Sequence, residues 1–305
     1  MGVETPGLTS VEPIGVIAHY NLLEALPAAG PGDLFRARDT IRGRTVIIRR
    51  LPAAQADDPA RRAIEASAQA LSTLSHPNAI RLFDSGDDAG RLYLVFEHLQ
   101  GSTLRQELGG RQMNVRRALE LAIQIADAVA EAHAAGYLHG GLSAESVVIT
   151  AKGHAKIPAH PLACREGFIA GADAPSLVDY PSPEEASGGT PDERSDVFSV
   201  GALLYEMLTA RRPSLKGAAR PSATNTHVPR ELDDVVLQAV SPNPGRRFAN
   251  AAELVAALRA VLAVHDARGG ADDEFADGST PSRARYWMMG GLVVAVAAVW
   301  WLTRW

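Results

Sequence analysis

Three histidines and the single cysteine of this 305-residue chain, His139, His154, His160 and Cys164, lie close enough in sequence to raise zinc chemistry. The spacing H-x5-H-x3-C from His154 to Cys164 matches no compact zinc pattern, so they read as core histidines and loop positions. Cys164 has no second cysteine to pair with, which suits a reducing cytosol. Arg49 closes the apolar run Val46-Ile47-Ile48 and reads first as a solvated arginine on a strand. A net charge of -5 gives no reason to expect a nucleic-acid partner. With 46% hydrophobic and 21% charged residues, the chain can bury one large core or two joined lobes.

The elements that must position these residues are strands first and helices later. Residues 1–17 show no periodicity and read as a leader, with neither a signal-peptide run nor a myristoylation pattern. From Tyr20, the short apolar runs YNLLEAL, DLFRARD and TVIIRRL, separated by turn residues, predict antiparallel hairpins. A helix over Pro59–Leu74 and two strands, IRLFDSG and RLYLVFEHLQG, follow, then helices over Thr103–Leu108 and Val115–Ala135 that Gly136 stops. Between Asp192 and Pro213, Val197, Val200, Leu203, Leu204, Met207 and Leu208 recur at three- and four-residue steps. Gly201 and Ala202 fall inside that pattern, so the helix is apolar nearly all round and belongs in the middle of a domain. Ser195 or Asp196 is expected to cap it, and Arg211, Arg212 and Pro213 to end it. Leu232–Val240 and Ala251–Val264 predict two closing helices, and residues 265–285 a Gly-, Asp- and Ser-rich linker. Tyr286–Leu302 are 17 uncharged, mainly apolar residues, at the lower limit for a bilayer span. Aromatic residues at both ends and Arg283 and Arg285 ahead of it predict a transmembrane helix. Residues 303–305 would then lie outside, and the rest of the chain in the cytoplasm.

The run DERSDVFSVGALLYEMLTARRP resembles the buried helix of the larger lobe of bacterial serine/threonine protein kinases. The resemblance covers residues 18–264 and implies an α+β, bilobal protein-kinase fold. A small β-rich lobe over about 18–97 would sit on a larger helical lobe over about 98–264. It also implies where the working residues should stand, and most of them are replaced. The three glycine places of the phosphate-covering loop G-x-G-x-x-G hold Pro27, Ala29 and Gly32. Pro27 lacks an N–H, and Ala29 resists close backbone approach. Where the family has V-A-I-K this chain has Val46-Ile47-Ile48-Arg49, and Ser67 stands in place of the glutamate that pairs with that lysine. Glu65 is two residues away, about 200° around the helix.

Where the family has H-R-D-L-K-P-E-N the chain reads His139-Gly140-Gly141-Leu142-Ser143-Ala144-Glu145-Ser146. By the resemblance, Gly141 replaces the base, Ser143 the lysine near the transferred phosphate, and Ser146 a magnesium ligand. Ala159 replaces the aspartate of D-F-G, the main metal ligand. Ser176 and Ser182 are the only serine or threonine hydroxyls between Ala159 and Glu184, so no phosphorylated activation loop is expected. His139 and Asp196 are retained, as are Glu184 in Ser182-Pro183-Glu184 and Arg247 in Pro244–Phe248. For these last two the resemblance implies a buried ion pair.

These readings predict a membrane-tethered pseudokinase without ATP, magnesium or other cofactor. Its expected partners are proteins, either an active kinase or a phosphopeptide-reading domain, at the inner membrane. A kinase with residual phosphotransfer through Arg49 and Glu145, and a nucleotide-responsive switch, are the alternatives.

Overall fold

The computed structural model describes residues 12–26, 32–53, 58–73, 75–158 and 180–269. The first part of the chain gives β1 (Gly15–Ile17), β2 (Tyr20–Leu26), β3 (Asp33–Asp39), β4 (Arg44–Arg50), α1 (Pro59–Thr73), β5 (Ala79–Ile80), β6 (Leu82–Asp88) and β7 (Arg91–Glu97). Six of these strands form one antiparallel sheet in the order β1-β2-β3-β4-β7-β6. Alternate residues point to opposite faces of a strand. Accordingly Ile17, Tyr20, Leu22, Phe35, Ala37, Val46, Ile48, Tyr93 and Val95 make one apolar cluster. Leu82, Leu92 and Leu94 make another with Leu51 and with Ile64 and Ala68 of α1. The sheet begins earlier than the expected leader boundary at residue 17. Gly15–Ile17 pairs with β2, and Ile17 is fully buried. Three residues are too few to show a period of two, so sequence periodicity could not reveal this strand.

The second part contains β8 (Gly101–Thr103), α2 (Leu104–Leu108), α3 (Val115–Ala134), β9 (Val148–Thr150), β10 (Ala155–Pro158), α4 (Pro183–Ala186), α5 (Glu193–Thr209), α6 (Arg230–Ala239) and α7 (Ala251–Ala267). β5 runs parallel to β10 in a small sheet ordered β5-β10-β9-β8, which joins the two lobes. Asn78 holds this joint: its side-chain amide donates to the Ala155 carbonyl at 2.7 Å and to Gln124 Oε1 at 3.1 Å.

Helix α5 is the axis of the larger lobe. Every residue from Ser195 to Thr209 is buried, packed against α3, α6 and α7. Its cap is Asp192, not the expected Ser195 or Asp196. The Asp192 carboxylate accepts from Arg194 N–H at 2.9 Å, and Ser195 Oγ accepts from Asp192 N–H at 3.2 Å. That exchange is a capping box one turn ahead of the expected cap, which leaves Asp196 for another task. At the far end α7 continues to Ala267, past the expected boundary at residue 264, because no Gly or Pro stops it before Gly269. Residues 286–302, expected to span the membrane, lie outside the described residues. Among the described residues no helix is long and apolar enough to cross a membrane.

Gly201 sets the distance between α5 and α6. A Cβ built there would lie 2.6 Å from Ala239 Cβ and 3.1 Å from Val240 Cγ1. Gly201→Ala should therefore destabilise the fold, despite alanine's better helix propensity, by ~1–3 kcal/mol from overpacking. Urea unfolding should show an earlier midpoint at unchanged slope, and a midpoint at or above the parent's would mean that the helices separate without cost.

Candidate functional site

The loop between α3 and β9 is held by one buried carboxylate. Asp196 Oδ2 accepts from His139 N–H at 2.7 Å and Oδ1 from Gly140 N–H at 2.8 Å. His133 Nε2, on α3, lies 2.9 Å from Asp196 Oδ2. Burial would raise the Asp196 carboxyl, but the His133 hydrogen bond, the His139 ring and the two amides hold it below its ordinary value. His139 donates from Nε2 to the Pro158 carbonyl at 2.9 Å, which ties the loop to β10. Burial lowers the His139 imidazole below its usual value, with Asp196 working in the opposite direction.

Within this frame Ser143 and Ser146 satisfy each other. Ser146 Oγ accepts from Ser143 N–H at 3.0 Å and donates to the Ser143 carbonyl at 2.9 Å. In return, Ser143 Oγ accepts from Ser146 N–H at 3.0 Å. Glu145 points outward, where Arg105 Nε donates to it at 2.8 Å. The loop therefore does not fit a magnesium ion. Gly141 has no side-chain oxygen, the Ser146 hydroxyl is committed to the turn, and Glu145 is engaged by a guanidinium. Ala159, with His160 and Cys164, lies outside the described residues, as do Pro27 and Ala29. Among the described residues no group of three or more His, Cys, Asp or Glu is placed to hold a metal.

On β4, Arg49 is half-buried between Leu34 and Leu94, and burial lowers its guanidinium below the ordinary value. It is not the solvated residue that its place at a strand end suggested, because β3 and β7 flank it on both sides. Ile47 shares its face of the strand and is paired in register with Phe96. Ser67 lies within α1. Glu65 is bound by Arg61 on the preceding turn of α1 at 2.9 Å. Gly32, the remaining glycine place, has φ +91°, and a Cβ there would meet the Arg50 carbonyl oxygen at 2.3 Å. Only glycine fits that turn.

The segment leading into α5 is clamped. Arg247 donates from Nη1 to Glu184 Oε1 at 2.6 Å and from Nη2 to Glu184 Oε2 at 2.7 Å. Ser195 Oγ adds a third bond to Glu184, and the Arg247 guanidinium lies 5.0 Å from the Phe198 ring centroid. Ser182 is fully buried and caps α4, bonded to Glu185, so its hydroxyl is not a surface group.

A family model described as protein tyrosine and serine/threonine kinase matches residues 32–247. The chain belongs to the protein kinase family. Among curated relatives, a probable serine/threonine-protein kinase of Streptomyces coelicolor is 32% identical, covering 82% of this chain and 41% of the relative. Serine/threonine-protein kinase PrkC of Bacillus subtilis is 28% identical over 80% of this chain and 40% of its own length. PknB of Mycobacterium tuberculosis is 31% identical over 78% and 42%. The chain thus spans about two fifths of the curated relatives it matches. The solved kinase domain of Mycobacterium tuberculosis PknI superposes with a TM-score of 0.66 at 22% identity, over 83% of this chain and 98% of that one. The kinase fold is bilobal, as the resemblance implied.

One cluster in this kinase fold escaped sequence reasoning. Arg105 of α2 donates to both Glu145 and Glu206 of α5, and to the Tyr180 hydroxyl at 3.2 Å. Tyr180 in turn donates to Glu206. Burial and the Glu206 carboxylate push the Tyr180 phenol above its usual value. A signal existed: a glutamate inside a helix predicted to be buried all round must find a cation or a donor. A second missed pair, Lys156 Nζ to Glu97 Oε2 at 2.6 Å, links β10 to the end of β7.

Removing the Arg247 side chain leaves Glu184 without its fork, so Arg247→Ala should cost about 3–5 kcal/mol. The pH dependence follows from Glu184. Burial would raise its carboxyl, yet Arg247 and Ser195 bring it down from 4.5 to about 2. A folded-state value below the unfolded one means that the unfolded chain binds more protons. This contribution is therefore complete above about pH 4.5 and is lost as pH falls toward 2. Denaturant titrations between pH 6 and 3 should show stability falling steeply for the parent and less steeply for Arg247→Ala. Parallel profiles would mean that the pair makes no contribution.

Proposed function

We propose that this kinase-family chain is a pseudokinase that binds a protein partner while tethered to the inner membrane. The observation that carries the reading is the loop from His139 to Ser146. Its backbone is fixed by Asp196, while the places of base, lysine and metal ligand hold Gly141, Ser143 and Ser146. A lost general base commonly costs 10²–10⁴-fold in rate, and a lost metal removes the electrostatic stabilisation on which phosphoryl transfer rests. Arg49 in place of lysine exchanges a compact ammonium for a wide planar fork. Ile47 puts a branched side chain on that same face where the family has alanine. Ala159, Pro27 and Ala29 support the reading from sequence. The enzyme alternative relies on Arg49 and Glu145, and Glu145 is paired with Arg105.

A fold kept while its chemistry is dropped acts through its surface. The partner is an active kinase or a phosphopeptide-reading domain, brought to high local concentration by the span at Tyr286–Leu302. The kinase-like domain then faces the cytoplasm.

Purified protein should show no magnesium-dependent thermal shift with ATP and no phosphate transfer to itself or to generic substrates. Gly141→Asp alone should restore neither. A stabilisation of several degrees that requires both ATP and magnesium would falsify the inactive reading. In fractionated cells the whole chain should resist a carbonate wash, and a chain ending at Arg283 should be soluble and folded. Recovery of the whole chain in the soluble fraction would remove the tether.

A further inference from the structure

After α5 the chain carries a loop of one charge sign. No Asp or Glu lies between Glu206 and Glu231, while Arg211, Arg212, Lys216 and Arg220 all fall within ten residues. Arg211, Arg212, Ser214, Leu215 and Lys216 are exposed, Leu215 by 37%. The loop is thrown outward by local geometry. Ala210 ends α5 with φ +58°, a left-handed backbone in which a residue with a Cβ is strained. Thr209 Oγ1, which donates to the Tyr205 carbonyl at 2.7 Å, then secures the exit by accepting from Arg211 N–H at 3.2 Å.

Pro213 disfavours a helical backbone at Arg212 and fixes its own φ near −65°, so Arg211–Pro213 is biased toward an extended approach to Ser214. At Ser214 the chain turns, with Gly217 N–H donating to the Ser214 carbonyl at 3.0 Å and Lys216 N–H to Ser214 Oγ at 3.3 Å. The loop therefore displays two guanidinium groups three and two residues ahead of a surface serine, with an exposed leucine directly after it. This pattern suits the peptide groove of an arginine-directed serine/threonine kinase. Carboxylates in such a groove hold guanidinium groups with paired hydrogen bonds, and an apolar pocket takes the side chain after the serine. Thr224 and Thr226 are also exposed but have no arginine two or three residues ahead of them, and two other hydroxyls near the helix are inward. Ser199 donates to the Tyr180 carbonyl, and Ser222 is bound to Asp233.

We propose that Ser214 is a phosphoacceptor for a separate arginine-directed serine/threonine kinase, with Arg211–Leu215 as the recognised sequence. The proposal rests on the reading above only for the class of partner, an active kinase. In the transfer, Ser214 Oγ attacks the γ-phosphorus of ATP held by that kinase. The new O–P bond forms as the bond from phosphorus to the β–γ bridging oxygen breaks. ADP leaves, and the hydroxyl proton goes to the partner's general base. The product puts a charge of about −2 and three acceptor oxygens among Arg211, Arg212 and Lys216. The Arg212 guanidinium lies 5.2 Å from the Tyr180 ring centroid, so the phosphate would act beside the residue that anchors the segment before α4.

The test incubates the whole chain, in detergent, with the catalytic subunit of an arginine-directed serine kinase, magnesium and γ-labelled ATP. A peptide of residues 207–219 is run in parallel. The expected result is about one phosphate per chain, mapped to Ser214 by mass spectrometry. It should be abolished in Ser214→Ala and reduced at least tenfold in the Arg211→Ala, Arg212→Ala double variant. Ser214→Ala should melt with the parent, since the residue is exposed. Label on the peptide but not on the folded chain, label elsewhere on the chain, or label on neither would each overturn the proposal. Absence of label together with phosphatidylserine-vesicle binding that the double variant loses would also overturn it, and would assign the loop to a lipid surface. Label in a sample without added kinase counts against the pseudokinase reading and leaves this one standing.

Discussion

A carboxylate buried inside the central helix of the larger lobe must have its acceptors filled, and Asp196 fills them with backbone. Its two oxygens take the N–H groups of His139 and Gly140, and one of them also meets His133. The conformation of the loop is thereby set by main-chain donors, which every non-proline residue supplies. What stands at 141, 143 or 146 can change without loosening that grip. The kinase architecture and the kinase chemistry are thus held by different atoms, and the second can be lost while the first persists.

The other end of the site is also held by buried charge. The segment that returns to α5 is fastened by Arg247 on Glu184 and by Tyr180 on Glu206, with Arg105 closing the second cluster. These are buried or half-buried charges, for which a missing partner costs far more than a surface pair would contribute. Each cluster joins elements far apart in sequence: α4 to the turn before α7 in one case, α2 to α5 in the other. They hold the larger lobe in register whether or not anything is catalysed beside it. These two charge clusters are structural.

How much of this was legible follows from the range of each interaction. The all-round apolar pattern of Val197–Leu208 forecast a buried helix, because burial of a whole cylinder leaves a trace within four residues. The alternation in DLFRARD forecast β3 for the same reason, and the bounds agree residue for residue. Gly141, Ser143 and Ser146 were legible only by resemblance, since their meaning lies in what stands there in relatives. The reciprocal Ser143–Ser146 turn was not legible, although both residues were in view. Nothing in the sequence says that two hydroxyls three apart will bond each other's backbone in preference to solvent. Arg105 with Glu206 lies a hundred and one residues apart, and only the unexplained acid in an apolar helix pointed to it. The cap at Asp192 was missed by one turn because several capping residues, Asp192, Ser195 and Asp196, compete within five positions.

The particular replacements also make physical sense as a set. By the family resemblance, the groups replaced are a carboxylate, an ammonium and metal ligands, and such charges stabilise one another only while all are present. Without a magnesium ion in the loop, an aspartate at 141 would be a second anion near Asp196 with no cation to answer it. Likewise, a lysine at 143, where the side chain is now buried, would be a desolvated charge lacking its phosphate. Each survivor of a half-dismantled charge set destabilises the fold, so neutral residues should replace the whole set. Gly141, Ser143, Ser146 and Ala159 are all neutral, and the two serines recover their hydrogen bonds locally. Charge is retained at Arg49, which is only half-buried, and at Glu145, which Arg105 answers. The pattern of what stayed charged is therefore set by which charges still find water or a partner.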